Sequence, residues 1–154
     1  MNLKWRSFST LGDEVIDKMI RLYSKIEEGV LLHQINKFES IVSRSDLCPE
    51  EEFIQCATLR MSKGKTFRPH KHVEKKRTYE NQIAQESWVV ISGSVRVIFY
   101  DLDDSIMTSF VLSRGDASFT FRGGHNYEIL EDNTIVYEYK TGPYEGQKID
   151  KVFI

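Results

Sequence analysis

From Phe53 onward the chain is a succession of short runs rich in β-branched and aromatic residues: FIQCATLRM, SWVVIS, SVRVIFY, MTSFVL, ASFTF, NYEIL and TIVYEY, separated by clusters of Gly, Asp, Asn and Ser. Runs of this length and composition are strands, and the turn residues between them deny the chain any long uninterrupted element. Many short strands with regular turns bury their apolar faces only by stacking or closing, so the sequence predicts a sandwich or a barrel. The DLDD segment, residues 101–104, reads as a hairpin turn, and Ser92-Gly93-Ser94 as a tight bend.

The N-terminal part has a different texture. Leu11, Val15, Met19, Leu22, Tyr23 and Ile26 recur at three- and four-residue intervals, which predicts a helix over residues 10–28, capped by Thr10 and ended by Gly29. A second short helix is expected over residues 30–38. At 154 residues the chain suits one domain with one core. The tail, TGPYEGQKIDKVFI, ends in apolar residues and is expected to pack on something. A neighbouring subunit in a homodimer would serve, which light scattering checks.

A formal charge of −2 provides no broad field for nucleic acid or an anionic membrane, so neither is expected as a partner. Cys48 and Cys56 match no zinc knuckle, redox pair or disulfide framework and read as reduced thiols. The first residues, MNLKWRSFSTLGDEV, lack the apolar run of a signal peptide, and no stretch of apolar residues is long enough to span a bilayer. A cytoplasmic location is the expectation.

Chemistry concentrates in the strand region. His70 and His72 stand one residue apart, and Pro69 disfavours helix at Arg68, so both imidazoles should leave an extended segment on the same side. Glu86 opens the run ESWVVISG, whose other residues belong in a core. Burying an unpaired carboxylate costs several kcal/mol, so Glu86 should be paired, metal-bound or at the open end of its strand. His125 follows the turn Arg122-Gly123-Gly124 and opens another run. Alternation places Trp88 on the face of Glu86, and Tyr127 on that of His125, either lining one cavity or filling the core. Arg68, two before His70, would lean toward the same mouth and could hold a carboxylate or phosphate, or sit on the surface. His33 lies outside these motifs and is expected to pack or cap.

These residues resemble the cupin superfamily, and within it the WbuC-type cupin-fold metalloproteins. Gly64, His70, His72, Glu86 and Gly93 follow the first cupin motif, except that residues 73–85 make the gap before the glutamate longer. Gly115 and His125 fit the second motif, whose PxG is here Thr120-Phe121-Arg122-Gly123-Gly124 and whose asparagine is replaced by Ile129. The narrower likeness rests on QCATLRMSKGKTFRPHKH, ESWVVISGSVRVIFYD and IVYEYKTGPY, so that it covers residues 55–144. The resemblance implies an all-β jelly-roll barrel over residues 46–154, with residues 1–45 as an N-terminal α-helical extension packed on it. It further implies one divalent metal ion on His70, His72, Glu86 and His125.

Three imidazoles and a carboxylate suit Fe, Mn, Ni, Co or Zn without choosing among them. Glu74 and Glu80 are alternative acidic ligands, but only Glu86 has the glycine spacing and an apolar strand behind it. The polar insertion at residues 73–85 is a lid or, more simply, a solvated hairpin extension. The resemblance implies a small polar substrate, a sugar or nucleotide-sugar of surface-polysaccharide metabolism, undergoing isomerisation or epimerisation. Tyr127 is the one side chain nominated as a catalytic acid or base, and Arg68, Trp88 and Tyr127 as substrate contacts. An Fe(II) dioxygenase and a non-catalytic sugar-binding module are the rival readings.

Overall fold

A strand that buries one face needs apolar residues at every second position, and SVRVIFY meets that rule with Val95, Val97 and Phe99, all wholly buried. The computed structural model describes residues 19–38, 41, 44–72, 83–142 and 151–154. Among them it has ten strands and no α-helix: β1 Met19–Tyr23, β2 Leu31–Asn36, β3 Ser45–Asp46, β4 Ala57–Thr58, β5 Glu86–Ser92, β6 Ser94–Tyr100, β7 Ile106–Ser113, β8 Ala117–Thr120, β9 His125–Ile129 and β10 Ile135–Lys140. All pairings are antiparallel. One sheet runs β1-β2-β8-β5-β10, a second β7-β6-β9, and β3 and β4 form a small ribbon.

The chain passes from the first sheet to the second at Gly93, whose φ of +79° makes the sharp bend between β5 and β6. The DLDD segment turns β6 into β7, as the sequence predicts, and Asp101 pins it to the β1–β2 connection. Its buried carboxylate accepts from Ser24 Oγ at 2.6 Å and from the Lys25 backbone N–H at 2.7 Å.

Two apolar clusters follow from alternation along the first sheet. Ile35 and Val90 pack against Val95, Val97, Phe99 and Leu112, so the two larger sheets share one core. On β8 the intervening residues Ala117 and Phe119 point to the other face, where they meet Leu47, Cys48 and Ile54. Burial also raises the Cys48 thiol pKa to about 12, which keeps it protonated at neutral pH.

The helical expectation is corrected at both places that the described residues reach. Met19–Tyr23 and Leu31–Asn36 are paired strands, while residues 10–18 lie outside the described residues. In β1, Ile20 and Leu22 face the core by period two, and Tyr23 and Ile26, counted as part of a helical stripe, are exposed. All six residues of β2 are buried, because this strand lies inside the sheet with clusters on both faces, so it shows no alternation to separate it from a helix. Gly29, with φ +79°, serves the β1–β2 turn and not a helix end. The FIQCATLRM run yields only the two-residue β4, since Ile54 and Cys56 join the outer cluster from irregular backbone.

Candidate functional site

Period two along β5 and β9 decides what meets at one end of the shared core. Glu86 and Trp88 project from the five-stranded sheet, His125 and Tyr127 from the three-stranded one, and they meet in matching order. His125 Nε2 lies 3.1 Å from Glu86 Oε1. The Trp88 and Tyr127 rings stack with centroids 3.9 Å apart and planes 3° from parallel. Trp88 Nε1 donates to Glu138 Oε2 at 3.3 Å, and the Tyr127 hydroxyl shares a 3.0 Å hydrogen bond with Ser118 Oγ. Together with Arg122, the side chains of Glu86, Trp88, His125, Tyr127 and Glu138 line a cavity of about 500 Å³.

Glu86 is 6% exposed. Burial pushes its carboxyl up, but the hydrogen bond and charge of His125, followed by Lys151 and Lys140, outweigh that and hold it below its ordinary value. The group is therefore ionised at neutral pH. Lys151 Nζ stands 3.8 Å from its second oxygen, so the segment Lys151–Ile154 reaches the cavity wall. His125 Nδ1 is buried and has no hydrogen-bond partner among the described residues.

Tyr127 is pushed the other way. Burial raises its phenol well above the usual range, Ser118 offsetting part of this and Glu86 and Glu138 adding to it. At neutral pH it keeps its proton and can only give one. Tyr127→Phe keeps the stack on Trp88 and removes the bond to Ser118. The expected loss is about 1 kcal/mol of stability in urea denaturation, the net worth of one such hydrogen bond.

Of the four side chains expected to share an ion, Glu86 and His125 meet; His70 and His72 meet only each other. Their rings lie 5.6 Å apart, edge to face, on an exposed irregular segment, with His70 Nδ1 3.0 Å from the Arg68 carbonyl. Neither lines the cavity, and no group of three or more His, Cys, Asp or Glu side chains able to hold a metal gathers among the described residues. Arg68 is exposed on that same segment and does not line the cavity. Trp88 and Tyr127 both line the cavity, each on the face that alternation gives its neighbour Glu86 or His125. Glu74 and Glu80 lie outside the described residues, as does the insertion apart from Ile83–Gln85.

Two contributors were not singled out from sequence. Glu138 reaches Trp88 because β10 pairs with β5 in the register Glu138↔Trp88, a long-range fact with no local signal. Arg122 belongs to the turn before His125, where a charged residue beside two glycines was the available hint. His33 packs, as expected, immediately behind this turn. Its Nε2 is 3.0 Å from the Tyr100 carbonyl, its Nδ1 3.2 Å from Thr120 Oγ1, and its ring stacks on Phe99 at 4.3 Å.

No protein-family model matches the chain, and neither does any curated protein or solved structure.

Proposed function

We propose that this chain is a metal-binding cupin, a jelly-roll barrel whose cavity takes a small polar ligand of the sugar or nucleotide-sugar class. The observation that carries the reading is the Glu86–His125 contact, made between two sheets at the wall of a cavity that also presents a flat aromatic pair. Two donors bound side by side to one ion at about 2.1 Å stand roughly 3 Å apart. The 3.1 Å between Glu86 Oε1 and His125 Nε2 fits that edge as well as it fits a hydrogen bond. His70 and His72 are the remaining donors of the proposal, and it requires their segment to approach the cavity. The strand order β1-β2-β8-β5-β10 over β7-β6-β9 supports the jelly roll, since sheets that exchange strands at Gly93 need only close at their edges.

A bound divalent ion would supply Lewis acidity toward a carbonyl or vicinal hydroxyls. The chain's own residues supply the rest. Trp88 and Tyr127 offer a ring face to the apolar side of a sugar, and Glu86 and Glu138 accept from its hydroxyls. An isomerase or epimerase would use these parts. One observation favours a binding module without turnover: the Tyr127 hydroxyl, the nominated acid, is buried and tied to Ser118. A nucleotide-sugar that raises the melting temperature but is recovered unchanged after long incubation would decide for that module.

The test of the metal is elemental analysis of protein purified without a histidine tag or chelator. About one ion per chain is expected in the native protein, and a large loss in His125→Ala and His72→Ala. Native protein that takes up none of Fe, Mn, Co, Ni or Zn after incubation with each would end the metal reading.

A further inference from the structure

We propose, resting on the reading of this cavity as a ligand site, that Arg122 anchors an anionic group of the ligand, so that the cavity takes a phosphorylated or carboxylated sugar in preference to a neutral one. Arg122 lies in the turn between β8 and β9 and lines the cavity. Its guanidinium is fixed from behind: Nη1 donates to Glu52 Oε1 at 2.8 Å. Glu52 is held in turn by Gln85, whose Nε2 donates to Glu52 Oε2 and whose Oε1 accepts from the Ile54 backbone N–H at 2.8 Å.

The exposures separate an anchor from a mere counter-ion. The Glu52 side chain is 5% exposed and that of Arg122 is 40% exposed, so the carboxylate is sealed in while the guanidinium faces open space. Both side-chain hydrogen bonds of Arg122 among the described residues leave from Nη1, the second to the Leu31 carbonyl at 3.5 Å. A guanidinium is a planar fork of five N–H donors, and the edge carrying Nη2 and Nε is the one suited to two oxygens of a phosphate or carboxylate.

Beside Arg122 the cavity is lined by Gly123 and Gly124. Gly123, at φ +76°, has no space for a side chain, since a Cβ would come within 2.6 Å of the Tyr100 carbonyl oxygen. The wall beside Arg122 is therefore bare backbone. The cavity's two carboxylates are already engaged by cations and donors: Glu86 with His125 and Lys151, Glu138 with Trp88 Nε1 and, at 3.6 Å, Lys140. They can accept from sugar hydroxyls while an oxyanion rests on Arg122.

Isothermal titration at low ionic strength with glucose 6-phosphate, glucuronate and glucose tests this. At least one of the two anionic sugars should bind about tenfold more tightly than glucose, and which one does so separates phosphate from carboxylate. Arg122→Gln should bring its affinity down to that of glucose, and Arg122→Lys, which keeps the charge but not the fork, should lie between. Arg122→Gln strands the buried Glu52, so the double variant Glu52→Gln with Arg122→Gln is the second arm. No binding of either anionic sugar, binding no better than that of glucose, or a preference that survives in the folded double variant would overturn the anchor. A protein that takes up no metal yet keeps its Arg122-dependent preference would remove the metal reading alone. A protein that loads metal normally without the preference would remove the anchor alone.

Discussion

Lowering the pH from 6.5 toward 4 is expected to remove roughly 3 kcal/mol of folding stability through His33 alone, since its pKa falls from 6.5 to about 4 on folding. Burial is the main cause and the nearby charge of His125 adds to it, while the hydrogen bond with the Tyr100 carbonyl and the charge of Asp101 work against it. The unfolded chain binds this proton near 6.5 and the folded chain only near 4, so between those values the unfolded state carries more protons and gains as pH falls. Above 6.5 the contribution is fully present, and below about 4 nothing further is lost. Glu86 acts lower: its carboxyl is held below 4.5, and the stability it contributes is lost only as pH falls below that value. Urea midpoints measured at closely spaced pH values from neutral to 4.5 therefore isolate the histidine. His33→Gln should be less stable at neutral pH and show a much flatter slope over that interval; an unchanged slope would mean that another group carries it.

The strands after residue 85 were legible in the sequence because each borders two faces of different polarity, or ends at a turn residue of unmistakable geometry. SVRVIFY alternates, and the observed strand shows the same alternation in its burial. The first 45 residues were not legible in the same way. LLHQIN sits inside a sheet with apolar clusters on both sides, and a strand buried on both faces loses the period that identifies it. Its polar members survive burial because partners arrive from distant parts of the chain: His33 from Tyr100 and Thr120, and Gln34 from the Leu47 carbonyl at 2.8 Å. None of those partners is visible locally.

The site divides along the same line. Pairs two residues apart in one strand, Glu86 with Trp88 and His125 with Tyr127, could be placed on common faces by counting. That they face each other depends on which strands the two sheets bring opposite, and the sequence reached it only through a family likeness. The anion-binding role expected of Arg68 rested on its spacing from His70, and the structure puts both on an exposed segment away from the cavity. Arg122 reaches that cavity because the turn before β9 folds back over His33, a consequence of sheet packing and not of spacing.

Phe99→Ala is expected to cost about 3 to 5 kcal/mol, the usual range for emptying a fully buried phenylalanine site. Phe99 is 0% exposed, belongs to the cluster shared by the two larger sheets, pairs with His125 across β6 and β9, and stacks on His33. Its loss should reach the site as well as the core. With the ring gone, the imidazole of His33 loses its packing face and part of the apolar surround that depresses its pKa, and β9 loses support directly behind His125. Two results should therefore accompany the lower urea midpoint: a shallower dependence of stability on pH between 6.5 and 4, and weaker ligand binding in the folded fraction. Val97→Ala provides the comparison, being equally buried in the same cluster but paired with Tyr127 instead of His125. It should lower the midpoint less and leave the pH slope as it was. If both variants flatten the slope alike, the depression of His33 comes from the general tightness of the core and not from the ring stacked upon it.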